Sequence, residues 1–201
     1  SLVKRDPVSN QVQQILNVQT NSGGAQTRGV DVELQYSAEP NFFASQEEDF
    51  TVRAMVGYLS ERSTTSAAGI YTNFVKRIST PEYTALATFN YNIADFGFML
   101  QSTYYDSTLS NGNNEGLTGP NSNWVEGVDV DDNTVASQTV FNMGVNYGRE
   151  MTDGGDWQVG FNVNNLFDRD PPIIAGAGGQ ALSNSHQQFG RTYQLTLNMN
   201  F

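Results

Sequence analysis

From Tyr193 to the end of the chain, every odd position is apolar or aromatic and every even position is polar. Tyr193, Leu195, Leu197, Met199 and Phe201 alternate with Gln194, Thr196, Asn198 and Asn200. A period of two belongs to an extended strand whose two faces meet different surroundings. The pattern recurs in residues 30–36 (Val30, Val32, Leu34, Tyr36), 50–58 (Phe50, Val52, Ala54, Val56, Tyr58) and 83–91 (Tyr83, Ala85, Ala87, Phe89, Tyr91). It returns in 96–104 (Phe96, Phe98, Leu100, Ser102, Tyr104), 141–147 (Phe141, Met143, Val145, Tyr147) and 157–163 (Trp157, Val159, Phe161, Val163). A weaker run at 11–20 sets Leu16 and Val18 on one face, which makes about eight strands in all. No segment holds an apolar period of 3.6, so an all-β, antiparallel chain is expected.

The connections alternate in length. NIAD (92–95) and REMTDGGD (149–156) are short and AEPNFFASQEED (38–49) is intermediate, whereas 61–81, 106–134 and 168–188 are long. Structureless loops of that length are uncommon in compact soluble domains. Short turns at one end and long loops at the other are the habit of an outer-membrane β-barrel. The competing architecture is a soluble β-sandwich, whose strands also alternate.

Two features separate them. Tyr36, Phe50, Tyr91, Phe96, Tyr147, Trp157 and Phe201 fall at the short-turn ends of the strands, and Tyr58, Tyr83, Tyr104, Phe141 and Tyr193 at the opposite ends. Smaller aliphatics fill most of the middle. Such paired aromatic girdles suit a bilayer, because amphipathic rings settle at headgroup depth. The apolar faces of these runs also carry no charge, while Asp31, Glu33 and Arg53 have the opposite parity. A midplane Lys or Arg facing lipid would cost about 2–4 kcal/mol. Arg191 shares the parity of Tyr193 and is expected to snorkel at headgroup depth.

The net charge of −11 excludes a nucleic-acid surface and a peripheral protein held by anionic lipid. With no cysteine there is no disulfide framework and no thiolate metal site. No apolar run is long enough for a transmembrane helix. Residues 1–10, SLVKRDPVSN, read as a loop rather than a signal peptide, which suggests a piece of a longer protein.

Several residues invite a functional reading beside a plainer one. Glu126, Asp129, Asp131 and Asp132 set hard oxygen ligands close together, but their spacing is not that of an EF-hand, and a solvated loop explains them as well. Trp124 either stacks on a ligand ring or pins its loop to the rim. His186 is the only histidine, too few for a multi-histidine metal site or a persuasive triad. Trp124, Asp129, Asp131, Asp132 and His186 are therefore candidates for substrate contact from extracellular loops. Asp31, Glu33 and Arg53, pointing inward, either pair with something inside the barrel or solvate a wet lumen. GAGG (176–179) lacks the Lys-Ser/Thr and the helix of a phosphate loop. No catalytic constellation, cofactor site or metal site is expected.

Three stretches carry a family likeness. NSGGAQTRGVDVELQY (21–36), VNNLFDRDPP (163–172) and FGRTYQLTLNMNF (189–201) resemble, in order and spacing, segments near the end of TonB-dependent outer-membrane receptors. The resemblance implies that residues 1–201 are the last part of a 22-stranded barrel, without its N-terminal plug, TonB box and earlier strands. It implies import of a scarce solute (a ferric siderophore, cobalamin or an oligosaccharide) driven through TonB, ExbB and ExbD. It also implies plug contacts for Asp31, Glu33 and Arg53, and a terminal Phe201 read by the barrel-assembly machinery. Other readings are a complete eight-stranded outer-membrane barrel with a structural, adhesive or enzymatic role, or a soluble carbohydrate-binding sandwich.

Overall fold

The computed structural model describes residues 3–15, 23–43, 46–109, 119–120, 129–130, 134–152, 154–172, 186–187 and 189–201. All regular structure among them is β. In chain order the strands are β1 (Val3–Arg5), β2 (Val12–Ile15), β3 (Gly23–Ala38), β4 (Glu48–Ser66), β5 (Tyr71–Asn73), β6 (Tyr83–Ile93) and β7 (Phe96–Tyr105). They continue as β8 (Thr108–Leu109), β9 (Gly119–Pro120), β10 (Asp129–Val130), β11 (Thr134–Val135), β12 (Gln138–Glu150), β13 (Asp156–Asn164) and β14 (Thr192–Asn200).

β3, β4, β6, β7, β12, β13 and β14 form one antiparallel meander in that spatial order, and β5 adds to β4 as the eighth strand of the sheet. The eighth strand is thus not 11–20. Val12–Ile15 instead pairs with Val3–Arg5 in a separate hairpin, so the stretch expected as a loop contains β1. Asp6 shapes that hairpin by accepting the amides of Val8 and Ser9 at 2.9 and 2.8 Å. Those backbone bonds hold its carboxyl below the usual range. Leu16 and Val18 lie outside the described residues.

Register brings like parity to like parity across the whole sheet. Tyr36 pairs with Val52, Val52 with Phe89, Phe89 with Leu100, Leu100 with Met143, Met143 with Val163 and Val163 with Tyr193. Every residue in that row comes from an apolar face. The row also climbs: Tyr36 is the third-last residue of β3, whereas Tyr193 is the second of β14. Such a slip across successive strands is the stagger that tilts barrel strands against the axis.

The sheet is a single layer. The buried hydrophobic residues among those described are Val75, Val135, Val140 and Val163, too few for a sandwich core. Even in mid-sheet, Val56, Val145 and Phe161 keep 45, 37 and 39 % of their surface open on the apolar side. A soluble sheet must cover that face with a second layer; a bilayer covers it here. β3 and β14 do not pair with each other, so the meander is an arc of a barrel.

The aromatic girdles form as contacts. Toward the short turns, Phe50 meets Tyr36 and Phe89 at 6.1 and 5.1 Å between ring centroids, and Tyr147 meets Phe96 and Trp157 at 4.5 and 5.4 Å. At the other end Tyr58 stacks on Tyr83 at 5.0 Å, and Tyr193 on Phe161 at 6.2 Å. Tyr91 also donates its hydroxyl to Glu48 Oε2 at 2.6 Å, and Glu48 Oε1 accepts the Phe43 amide at 2.7 Å. This buried carboxylate fastens the 38–49 turn to the rim.

The short turns are as short as their spacing suggests: Ile93 pairs with Phe96 across Ala94-Asp95, and Glu150 with Asp156. The 61–81 connection is more ordered than expected. β4 runs on to Ser66, turns through Gly69 at φ 78° and returns as β5. β-branched Thr64 and Thr65 suit that extension.

Ala87 sits mid-span between Ala54 and Ser102 on the lipid side, and its neighbour Leu86 points inward. Ala87→Lys should lower the urea stability of the intact protein in lipid vesicles by about 2–4 kcal/mol. Leu86→Lys should cost far less, and equal losses would contradict the assigned faces.

Candidate functional site

The inward face of the sheet is polar and partly self-paired. Arg53 Nε donates to Glu33 Oε1 at 2.7 Å, with both side chains about half exposed (52 % and 48 %). A pair so open to water contributes roughly 0–1 kcal/mol. Asn142 and Gln101 are joined at 3.3 Å, and Asn92 reaches both carboxylate oxygens of Asp49 at 3.0 and 3.1 Å. Gly97 lies between Asn92 and Asn146, and a Cβ there would collide with both amides. The glycine lets long polar side chains lie flat across the wall.

A β-bulge changes the pattern near the long-loop end. Arg28 pairs with Glu61 but Gly29 pairs with Leu59, leaving Ser60 as the extra residue. A bulge adds one residue and reverses which side the following residues face. Gly29 permits the close approach, since a Cβ at that position would lie 2.6 Å from the Tyr58 carbonyl oxygen. Beyond the bulge Glu61 stands on the outer side with Arg28, at 3.4 Å, while Arg62 pairs across with inward Thr27. Hydrogen bonds from Ser63, then from Tyr71, and the nearby Arg28 charge hold the Glu61 carboxyl below its ordinary range.

Three adjoining hollows follow this wall. The uppermost, about 440 Å³, is bounded by Arg62, Phe74 and Arg77. The next, about 380 Å³, shares Thr27 and Arg62 with it and extends to Asp31 and Glu82. The third, about 760 Å³, reaches from Asp31 and Glu33 to Gln101 and Tyr105. Together they make a groove running down the lumen wall from the long-loop end.

Beside the groove, the turn after β13 folds over the strand ends. Asn165, fully buried at φ 52°, donates its amide to Asn142 Oδ1 at 3.0 Å. Its side chain donates to the carbonyls of Arg169 and Phe189 at 2.9 and 3.2 Å and accepts the Arg169 amide at 2.8 Å. Asp168, at φ 54°, accepts the Arg191 amide at 2.7 Å and meets its guanidinium at 3.7 Å. Gln138, also buried, accepts the Gln187 amide at 3.0 Å. The N-L-F-D-R stretch is therefore a clasp between the last loop and the closing strand. Arg191 is held by that clasp rather than reaching out alone.

The expected site residues separate. Trp124, Glu126, Asp131 and Asp132 lie outside the described residues, and Asp129 is placed only through its backbone pairing with Pro120. His186 is buried against Tyr105, with ring centroids 6.0 Å apart. Burial pulls its pKa below the ordinary imidazole value. Asp31 and Glu33 line the groove, with Arg53 paired to Glu33. Among the described residues, no three His, Asp or Glu side chains converge as a metal site. Arg62, Arg77, Asn165 and Gln138 were not singled out by sequence reasoning. Arg62 has the parity of the lipid-facing residues before it, and only the bulge turns it inward.

A tilted single-layer sheet, apolar and girdled outside and polar inside, is the wall of an outer-membrane β-barrel. Residues 3–166 match the family described as TonB dependent receptor-like, beta-barrel, and the chain belongs to that family of outer-membrane transport receptors. No curated protein and no solved structure matches it. The family match ends at Leu166, so β14 is placed by its pairing with β13.

Replacing Asn165 with Ala removes the partner of the Arg169 amide and two carbonyls. Each buried group left unpaired costs about 1–3 kcal/mol. The variant should make the chain around Arg169 and Phe189 more open to limited proteolysis while the barrel strands stay protected. Unchanged cleavage kinetics would show that the clasp is not needed.

Proposed function

We propose that the chain forms the C-terminal wall of an active importer energised through TonB, ExbB and ExbD. The groove running down the lumen wall from the long-loop end is the observation that carries this reading. A scarce solute (a ferric siderophore, cobalamin or an oligosaccharide) binds at the outer mouth and passes along this wall when a plug preceding these strands rearranges. Asp31 and the Glu33–Arg53 pair face the space such a plug would fill and supply its polar contacts. The candidate loop residues Trp124, Asp129, Asp131 and Asp132 act at the mouth, whereas buried His186 packs against Tyr105. The strands do no chemistry themselves. The open edges of β3 and β14 favour an arc of a large receptor over a complete eight-stranded barrel.

Deleting the gene should abolish growth on one of a panel of ferric chelates, cobalamin and oligosaccharides at limiting concentration. Removing TonB should reproduce the defect. Rescue of every condition without TonB would overturn the energised mechanism.

Phe201 completes the outward row of β14 and is 97 % exposed. We assign it to recognition by the barrel-assembly machinery. Phe201→Ser in the intact protein should reduce the amount inserted in the outer membrane several-fold. Unchanged insertion would remove that role.

A further inference from the structure

We infer that the uppermost hollow is a binding subsite for a hydroxyl-rich organic carboxylate. Arg62 and Arg77 bind the carboxylate, and Thr27, Thr64 and Ser79 take the neighbouring hydroxyls. The inference deepens the transport reading and rests on it, because it names the chemical class of the solute.

The charge pattern is the first ground. The chain carries a net charge of −11 and only ten Lys and Arg. Arg28, Arg53, Lys76 and Arg191 each pair with a carboxylate: Glu61, Glu33, Glu82 and Asp168. Arg62 and Arg77, like Lys4, Arg5, Arg149 and Arg169, have no carboxylate within 4.0 Å among the described residues, but these two are set apart by lining one cavity of about 440 Å³. Both cationic residues border the same cavity, so an anion held there would be attracted by both. The volume is in the range of small-molecule sites.

The second ground is that the site is held in place. The Arg62 backbone is fixed by its register with Thr27, and its carbonyl accepts the Phe74 amide at 2.7 Å. The Phe74 carbonyl in turn accepts the Arg77 amide at 3.2 Å and a hydrogen bond from the buried Thr80 hydroxyl. The Arg77 guanidinium lies 4.7 Å from the Phe74 ring centroid. Stacking on a ring fixes the plane of the fork and leaves its edge for a ligand. Arg77 Nε is buried with no hydrogen-bond partner. The terminal nitrogens of the fork, rather than this enclosed Nε, are the donors that would meet a planar carboxylate in the two-point geometry that arginine favours.

The third ground is the bulge at Ser60. It turns Arg62 from the outer side toward the cavity, and sends Glu61 to the outer side where Arg28 neutralises it. The acid next in sequence is thereby removed from the arginine pair.

Two sources present this chemistry, acidic oligosaccharides and hydroxycarboxylate chelates of iron. The test is calorimetric titration of the intact purified receptor with trigalacturonate, ferric citrate and neutral maltotriose. One acidic probe should bind, maltotriose should not bind at the same concentrations, and the affinity should fall as salt is raised. Arg62→Gln and Arg77→Gln should each weaken the acidic probe about tenfold or more, and Arg77→Lys should restore only part of it. Arg62 is exposed, so Arg62→Gln leaves folding intact, which heat-modifiable gel migration verifies. Failure of both acidic probes, or affinities unmoved by Arg62→Gln, overturns the subsite. Because binding is read without uptake, that failure leaves TonB-driven transport standing or falling on the growth panel alone.

Discussion

The structure depends first on the pairing of backbone groups in a medium without water. In lipid an unpaired amide or carbonyl costs several kcal/mol, so each strand that crosses must be hydrogen-bonded along its length to a neighbour. The seven-strand meander meets that demand between β3 and β14 by the simplest route, each long strand pairing with the one before it. Long crossings follow: β3 has 16 residues and β4 has 19, against the 5–6 common in globular sheets. With the backbone committed to the ladder, side chains are left to sort by face.

That sorting explains how much of the fold was legible. A bilayer imposes one rule on every lipid-facing residue, so parity alone located the seven long strands and their outward faces. Tyr193 to Phe201 carries the rule most plainly because nothing interrupts it. The rule weakens where lipid ends. Residues 11–20 alternate loosely, and Val12–Ile15 forms a hairpin with Val3–Arg5 apart from the sheet. Thr64, Thr65 and Tyr71 alternate too little to announce the β4–β5 extension, which is held by a Gly69 turn and cross-strand bonds instead.

The site was less legible for a related reason. Inward residues answer to the solute and to one another, and such relations are set by register. The Glu33–Arg53 contact is diagonal, since Glu33 pairs with Met55 and Gln35 with Arg53. Its members were visible as inward charges, but their partnership was not. Asn165 and Asp168 stood inside a recognisable motif without a physical role. Their positive φ values and their bonds to residues about 23 positions away give it one. Gln138 gave no signal in sequence. It matters because the last loop returns to the strand beneath it.

The bulge at Ser60 shows how a barrel wall changes the charge of its lumen just above the girdle. By the parity of Phe50 to Tyr58, Arg62 would face outward and away from the lumen. One inserted residue exchanges the roles of Glu61 and Arg62 above the girdle marked by Tyr58 and Tyr83. Glu61 then meets Arg28 on the outside, and Arg62 joins Thr27 within. The strand keeps its pairing with β3 on both sides of the insertion, so the ladder is interrupted only locally. Outer-face alternation can therefore stay strict while the lumen changes its chemistry above the bilayer, and the mouth is where such a wall has most freedom to adapt to a solute.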